Sequence, residues 1–361
     1  MDFQKSVVGI DLSAGKVQAA YFDSTCIKPI IVASVAGCGD FSENSIEEVF
    51  LNLQEKIGNT EAAVAVPGYL NYIQRQMIKN IAEKAGISIM RFINKTGATA
   101  MAFEFDRANK REDKLIFVCT FDKGVFEIAL AEVGDGVIEI MAIDWEKDFD
   151  EKNIDTARFN ELCRRLIVEK ERQLIEEAAA RDEPVADIKF TSDQIDTIVL
   201  TCEPHHIHTI QPILADFFHK NHDAIFKTEN AVAIGASING AILSGNLKDV
   251  LFLDVISMSF GIETSGGVMT KIIHRNTTLP ARISKIFSSL FPGLAVISVF
   301  QGEDEIASKN CYLGTFSLQN INPLLQNVIK EIEVALDIDA NGIIHVSAND
   351  LAGGNKTGIK I

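Results

Sequence analysis

The hydrophobic pattern of the chain changes near residue 250, and this change limits the folds that are open to it. Before that point, runs with strand periodicity alternate with runs of helical spacing. From Leu251 onward, short apolar runs alternate with turn residues roughly every ten positions, and helical signals are nearly absent. The sequence therefore predicts a mixed α/β region followed by an all-β region, joined by the string DVLFLDVISMSFGIETSGG at 249–267.

Two similar hairpins are predicted in the first region. Residues 6–22 have the pattern of strand, glycine-containing turn and strand, and residues 115–131 repeat it around the turn sequence DKG. We expect two related halves. The further segments predicted there are buried strands at 62–67 and 196–201 and helices at 72–85, 156–180 and 231–243.

The second region is predicted to be antiparallel. Its clearest hairpin spans 331–350, where apolar residues alternate on both sides of Asn341-Gly342. Short alternating strands separated by turn signals are typical of a β-sandwich.

Bulk composition limits the compartment and the partners that we expect. A chain of 361 residues is long enough for about two or three domains, and its net charge of −16 disfavours nucleic acids and anionic membranes as partners. None of the six cysteines forms a C-x-x-C pair, which favours buried free thiols. Without a visible secretory signal or a run of eighteen apolar residues, we expect a cytoplasmic protein.

An ordered series of segments carries a resemblance to a known family. The series starts with VVGIDL at 7–12, AVAVPGYLNYIQRQ at 63–76 and AGISIMRFINKTGATAMAF at 85–103. ENAVAIGASINGAIL follows, and the motifs GIET, RNTT, QGE and DIDANGIIHVSA complete it in the second region. Together they resemble the seventy-kilodalton heat-shock chaperone family, the DnaK family.

The resemblance implies a fold of the class α/β plus all-β. A shortened actin/ribonuclease-H-like nucleotide-binding domain would occupy 1–247, an interdomain linker 248–255, and a β-sandwich peptide-binding domain 256–361. Compared with the family pattern, much of both upper subdomains and the helical lid are expected to be absent.

The resemblance also implies a nucleotide site for ATP or ADP with Mg²⁺. Glycine-lined hairpins would bring backbone N–H groups to the phosphates, and carboxylates would hold the metal through water. Asp11 is the one catalytic candidate. The implied cofactor-binding residues are Asp11, Gly15, Gly124 and Gly235.

Several positions of that site depart from the family pattern. The family's Gly-Thr-Thr turn is Ser13-Ala14-Gly15 here, its DLGGGTFD hairpin is TFDKGVFE, and its NEPTAAA glutamate is Lys95. Cys202-Glu203 replaces the Gly-Gly of the adenosine side, where side chains would take space from a nucleoside. Asp122 would oppose phosphate charge unless a metal or Lys123 offsets it. These changes predict that ATP hydrolysis is weakened or lost.

A peptide-binding groove is implied in the second domain. Such a groove holds an extended segment by backbone hydrogen bonds and an apolar pocket. The alternative is that Ile262 and Val296 are core residues of the sandwich. The implied groove residues are Phe260, Ile262, Thr264, Ser265, Phe287, Leu290 and Val296.

Coupling between the domains is implied for a third set of residues. For two of them an alternative stays open, since Pro67 would also end a strand and Arg75 would also serve as a surface charge. The implied set is Pro67, Arg75, Asp249, Leu251, Leu253 and Asp254.

Two other features are interpreted without a functional role. The histidines at 205, 206 and 208 have weak metal-ligand spacing, and we predict no metal site. The charged run 144–152, which contains Trp145, is interpreted as a solvated turn.

The leading functional hypothesis is a chaperone that binds apolar segments of unfolded or client polypeptides, with its ATPase weakened or lost. A J-domain co-chaperone is a further implied partner. One alternative is an active ATP-dependent chaperone, similar to the HscA branch that serves iron–sulfur cluster assembly. Another is a regulatory pseudo-chaperone or a decayed gene copy.

Overall fold

A computed structural model describes residues 7–23, 28–106, 112–222, 225–227, 230–289, 293–321, 330–340, 342–351 and 356–360. The chain divides into two compact units. The first unit comprises residues up to Leu70 together with Met77–Asp254. The second comprises Asn71–Gln76 and Val255–Ile361.

The first unit contains two sheets with the same connectivity. The first sheet has the spatial order β3-β2-β1-β4-β5, and the second has the order β10-β9-β6-β7-β8-β11. In chain order, the first three strands of each sheet are antiparallel neighbours, and the fourth runs parallel to the first: β4 runs parallel to β1, and β9 runs parallel to β6. The strands are β1 (Val8–Asp11), β2 (Lys16–Asp23), β3 (Lys28–Ala36), β4 (Thr60–Val66), β5 (Ile87–Asn94), β6 (Lys114–Asp122), β7 (Val125–Gly134), β8 (Val137–Glu146), β9 (Thr197–Cys202), β10 (Ile225–Lys227) and β11 (Leu251–Leu253).

Both predicted hairpins are confirmed. The turn of the second one consists of Lys123 and Gly124, whose φ angles are 47° and 72°. Two consecutive residues with positive φ are the signature of a type I′ turn, which matches the twist of the flanking strands. The turn therefore fixes the position of Asp122, the last residue of β6.

Six helices accompany the described strands. The charged helix predicted at 156–180 is confirmed, and the Asp155 carboxylate caps its N-terminus by accepting a hydrogen bond from the Arg158 N–H. The helices are α1 (Glu43–Ile57), α2 (Tyr72–Lys84), α3 (Lys95–Asp106), α4 (Thr156–Ala180), α5 (Pro204–Phe217) and α6 (Ala231–Leu243).

The small residues of α6 permit a close approach of backbone to backbone. A Cβ atom placed on Gly235 would lie 1.7 Å from the Ala98 carbonyl oxygen of α3, and one on Gly9 of β1 would lie 1.9 Å from the Ser237 nitrogen. Larger side chains at either glycine are sterically excluded. Helix α6 consequently packs directly against β1 and α3.

The second unit contains two four-stranded sheets of antiparallel neighbours, ordered β13-β12-β15-β16 and β14-β17-β18-β19. Side chains from both sheets form one buried cluster, which includes Ile262 and Ile297 from the first sheet and Val334 and Val346 from the second. The strands are β12 (Phe260–Thr264), β13 (Val268–Ile273), β14 (Ala281–Ser289), β15 (Gly293–Gln301), β16 (Cys311–Ile321), β17 (Lys330–Ile338), β18 (Ile344–Asp350) and β19 (Lys356–Lys360).

The hairpin predicted at 331–350 is confirmed by the pairing of β17 with β18. Asn341 of its turn lies outside the described residues. The interpretation of Trp145 as part of a solvated turn is wrong, because Trp145 lies within β8 and its ring contacts the ring of Tyr69 at 5.9 Å.

Two further observations concern the helices and the cysteines of the described residues. Within the described residues, no helix combines the length and the hydropathy needed to cross a membrane. The five cysteines that the structure describes are free thiols, of which Cys38, Cys119 and Cys163 are buried.

Candidate functional site

A cleft in the first unit brings together the turns of both hairpins. Its volume is about 200 Å³. The first residues of α3 and α5 contribute to its wall, because both helices begin where a strand of the sheets ends. The lining residues are Asp11, Ser13, Lys16, Gln18, Lys95, Thr120, Phe121, Asp122, Thr201, Cys202, Glu203, Pro204, Asn230 and Val232.

The Asp122 carboxylate lies at the centre of a three-donor arrangement. The backbone N–H of Ala14 donates to its Oδ2 at 2.9 Å, and that of Gly15 donates to its Oδ1 at 3.2 Å. The Lys95 ammonium donates to Oδ2 at 3.1 Å. A single side chain therefore connects the first hairpin, the second hairpin and α3.

Lys95 is the charge that offsets Asp122. Its side chain is 4% exposed. Burial by itself would lower the pKa of Lys95, but the charges of Asp122, Asp11 and Glu127 raise this pKa above its ordinary value. The sequence analysis named a metal or Lys123 as the group that would offset Asp122. In the structure Lys95 is the cation paired with it, and Lys123 is exposed.

The protonation of Asp122 follows from the same contacts. Burial by itself would raise its pKa, but the Lys95 charge and the hydrogen bonds from Lys95, Ala14 and Gly15 lower it below the ordinary value. Both members of the pair are therefore ionised at neutral pH.

Asp11 is in a less favourable environment at the end of β1. It is 9% exposed and accepts a hydrogen bond from the Ser13 hydroxyl. Burial raises its pKa to about 6, against the opposing effects of Lys95 and Ser13. A carboxyl group in a cleft whose pKa is shifted by burial is a common feature of functional sites.

Cys202 and Glu203 are among the residues that line the cleft. The Glu203 carboxylate approaches the first hairpin, since one of its oxygens lies 3.1 Å from where a Cβ of Gly15 would be. The other oxygen lies 3.3 Å from Nδ1 of His205. Side chains therefore occupy the place where the family pattern has two glycines.

Glu127 and Thr201 are site residues that sequence analysis missed. Glu127 is 5% exposed and accepts a hydrogen bond from the Gly68 N–H at 2.7 Å. The Thr201 hydroxyl is buried, lines the cleft and has no hydrogen-bond partner among the described residues. The signal that could have revealed Glu127 was a carboxylate in place of the final aspartate of the second hairpin motif.

The linker residues continue the second sheet of this unit. Strand β11 runs parallel to β8, and the Leu251 N–H donates to the Gly136 carbonyl at 2.8 Å. Leu251 itself is 52% exposed and Leu253 is half-buried, whereas Phe252 between them is buried against Gly97 of α3. Phe252 was not among the predicted coupling residues, although it packs the linker onto this unit.

The other coupling candidates have separate positions. Asp254 is buried and accepts a hydrogen bond from the Asn94 amide at 3.1 Å, whereas the carbonyl of Asp249 lies beside Gly136. Pro67 directly follows β4, and Arg75 is a half-buried residue of the Asn71–Gln76 segment.

Comparison with known families identifies the chain. The family model described as Hsp70 protein matches residues 46–157 and 144–361. The chain belongs to the Hsp70 family. This confirms the family resemblance, and membership implies an actin/ribonuclease-H-like nucleotide-binding fold for the mixed α/β region.

Two of the glycines assigned to the Hsp70 nucleotide site pack against protein backbone. A Cβ on Gly124 would lie 2.6 Å from the Phe149 carbonyl oxygen, and Gly235 is held against Ala98 of α3. Of the four candidates, Asp11 lines the cleft and Gly15 lies at its edge. Gly124 and Gly235 have a packing role in this structure.

The candidate peptide residues do not all share one face. Phe260 and Ile262 are buried in the core cluster of the second unit, and Phe287 is partly buried against it. Val296 is 61% exposed on the opposite face of β15 from the buried Ile297. The structure therefore does not bring Val296 together with the other three, and Ile297 takes the core position.

The arch candidates lie at the end of the β12–β13 hairpin. Thr264 ends β12, and its hydroxyl is 2.8 Å from that of Thr270. Ser265 follows in the turn and is exposed. Leu290 lies outside the described residues.

The histidines lie on a helix rather than on an extended segment. His206 of α5 is buried, with its ring 5.0 Å from that of Phe121, whereas His205 and His208 are exposed. Across the described ranges, no group of three or more His, Cys, Asp or Glu side chains is close enough to hold a metal ion.

Proposed function

We propose that this Hsp70-family protein holds extended apolar segments of client polypeptides in its second unit and that its first unit does not hydrolyse ATP. The observation that carries the proposal is the Lys95–Asp122 ion pair in the cleft. Its members replace a catalytic carboxylate and a phosphate-approaching glycine of the family pattern.

The residues of the cleft do not fit a nucleoside triphosphate such as ATP. Phosphoryl transfer requires donors and cations directed at the phosphate oxygens. Here the N–H groups of Ala14 and Gly15 and the Lys95 ammonium are already bonded to Asp122. A triphosphate would have to displace this carboxylate and would then lie close to its negative charge.

Lys95 also removes a chemical function. A buried ammonium with a raised pKa stays protonated and cannot accept a proton from an attacking water. Among the nearby carboxylates, Glu127 is bonded to the Gly68 N–H, and Asp11 is bonded to the Ser13 hydroxyl. This arrangement supports a cleft without hydrolytic activity.

The second unit supports client binding in a different way. We take its two sheets, which share one apolar cluster, as the layers of a β-sandwich. An extended segment binds such a scaffold by backbone hydrogen bonds and one apolar pocket. Phe287 is the candidate that is both packed on the core and partly exposed. Thr264 and Ser265 lie at the turn between β12 and β13. We further propose that the protein acts in the cytoplasm with a J-domain co-chaperone.

Fluorescence anisotropy with a labelled seven-residue apolar peptide tests client binding, and phosphate release tests hydrolysis. We expect saturable binding that Mg²⁺·ATP does not change, and no release above the rate without protein. The matched variants are Phe287→Ser and Ile286→Ser, because Ile286 is the adjacent residue and is 60% exposed. Only the first should weaken binding, provided that both variants unfold cooperatively.

Three results would lead to other conclusions. ATP hydrolysis together with nucleotide-dependent peptide release would establish the active-chaperone alternative. No peptide binding by a cooperatively folded protein would favour the regulatory pseudo-chaperone. Equal loss in both variants would refute the assignment of Phe287.

A further inference from the structure

Three hydrogen-bond donors of the first unit converge on one carboxylate of the same chain. The N–H groups of Ala14 and Gly15 and the Lys95 ammonium lie 2.9, 3.2 and 3.1 Å from the oxygens of Asp122. Adjacent backbone N–H groups next to a cation form a common binding arrangement for oxyanions. The carboxylate therefore lies in a built anion site.

We propose that Asp122 is the resident anion of this site, so that the protein is closed to phosphate and removal of this carboxylate creates an inorganic phosphate site. The inference deepens the proposed function, since it states why the cleft does not accept phosphate. It rests on the part of the proposed function that concerns the cleft of the first unit, and it does not depend on peptide binding by the second unit.

The attachment of Asp122 to the chain explains why a free anion does not displace it. Asp122 ends β6 and is followed by the tight turn Lys123-Gly124, so its side chain is presented at a fixed place. A tethered group acts at an effective concentration of about a millimolar or more, and a short, rigid connection raises this value. Gly15 permits the close contact, because a Cβ there would lie 2.9 Å from Oδ1 of Asp122.

Space and charge both favour phosphate once the carboxylate is removed. Truncation of Asp122 to alanine would add the place of the carboxylate to a cleft that already measures about 200 Å³. Lys95 would remain buried without its ion-pair partner, and two N–H groups would lose their acceptor. A small oxyanion restores all three interactions.

The test compares Asp122→Ala with Asp122→Asn by isothermal titration and thermal unfolding with inorganic phosphate, at constant ionic strength set with chloride. Both variants lose the negative charge, but only alanine opens the space. We expect Asp122→Ala to bind phosphate at least ten-fold more tightly than the wild type and Asp122→Asn to resemble the wild type. In the double variant Asp122→Ala/Lys95→Met, the binding should be lost.

Several outcomes would overturn the inference. A folded Asp122→Ala variant without phosphate binding would do so, as would equal phosphate binding by Asp122→Ala and Asp122→Asn or retention of phosphate binding in the double variant. A measurement on the wild type keeps the test valid if Asp122→Ala does not fold. Phosphate should leave the amide resonances of Ala14 and Gly15 unchanged, and a saturable shift of both would refute the resident-anion assignment. Peptide binding and ATP hydrolysis are measured separately, so failure of the proposed function is distinguishable.

Discussion

Replacement of Asp11 by asparagine should stabilise the protein at neutral pH. The Asp11 carboxyl is 9% exposed, and its pKa is raised from 3.8 to about 6, chiefly by burial. This difference corresponds to about 3 kcal/mol of free energy. Because the folded state holds the proton more tightly, the stability contributed by Asp11 is present at low pH, falls as pH rises from 3.8 to about 6, and is absent above that.

Asparagine avoids this cost, because its amide is neutral and its oxygen still accepts a hydrogen bond from Ser13. The assay is urea unfolding of the wild type and Asp11→Asn at pH 4 and at pH 7.5. We expect the variant to be more stable by about 3 kcal/mol at the higher pH and nearly equal at the lower. Asp187→Asn, a change at an exposed site with the same charge difference, should have no effect at either pH. Equal stability of wild type and Asp11→Asn at pH 7.5 would refute the reasoning.

Three further predictions concern packing and charge. Lys95→Met and Asp122→Asn should each lower the free energy of unfolding of the first unit by about 3 kcal/mol. In a double-mutant cycle measured by urea unfolding, the double variant should lose less stability than the sum of the two single losses. Strict additivity would contradict the pairing. Gly235→Ala should lower the free energy of unfolding by about 3 kcal/mol or more, because the new Cβ would lie 1.7 Å from the Ala98 carbonyl oxygen. A thermal unfolding midpoint equal to that of the wild type would show that α6 can shift. Val296→Ser should change stability by less than about 0.5 kcal/mol and leave peptide affinity unchanged, since the side chain is 61% exposed on the outer face of its sheet; weaker peptide binding would return Val296 to the groove.

The secondary structure of this chain could be predicted well because local signals agree with the fold. The turn sequence DKG with apolar runs on both sides specified the β6–β7 hairpin, and the apolar spacing of 156–180 specified α4. The alternation around 331–350 specified the β17–β18 pair in the same way. These signals depend on neighbours in sequence, which is why they could be read without a structure.

The face of β15 on which Val296 lies could not be predicted from the sequence, and its groove role stays a prediction. A motif match locates a strand, but a shift of one residue moves every side chain to the opposite face. Strand β15 has register irregularities at Gly293/Leu294 and at Val299/Phe300, so counting along the motif did not fix the face. Ile297, one residue further, occupies the core position.

The charge arrangement of the cleft could be predicted only in part. Lys95 and Asp122 were both recognised as departures from the family pattern, but each was evaluated separately. Their contact depends on the parallel and antiparallel pairing that brings the start of α3 to the second hairpin, and no local pattern encodes this distance. The same applies to the hydrogen bond between Glu127 and Gly68, which joins a residue of β7 to the turn that follows β4.

Lys95 and Asp122, the two departures from the family pattern, would have opposite consequences for catalysis and for stability under the proposed function. A lysine in place of the catalytic carboxylate would, alone, leave a buried ammonium without a partner, and an aspartate beside the phosphate donors would, alone, be a desolvated carboxylate. Together they form a 3.1 Å ion pair that also satisfies two backbone N–H groups. The pair connects three elements of the first unit, and under the proposed function it would also remove hydrolytic chemistry. Under the proposed function, loss of ATP turnover would therefore not require loss of the fold, because the contact that blocks the phosphate donors also stabilises the first unit.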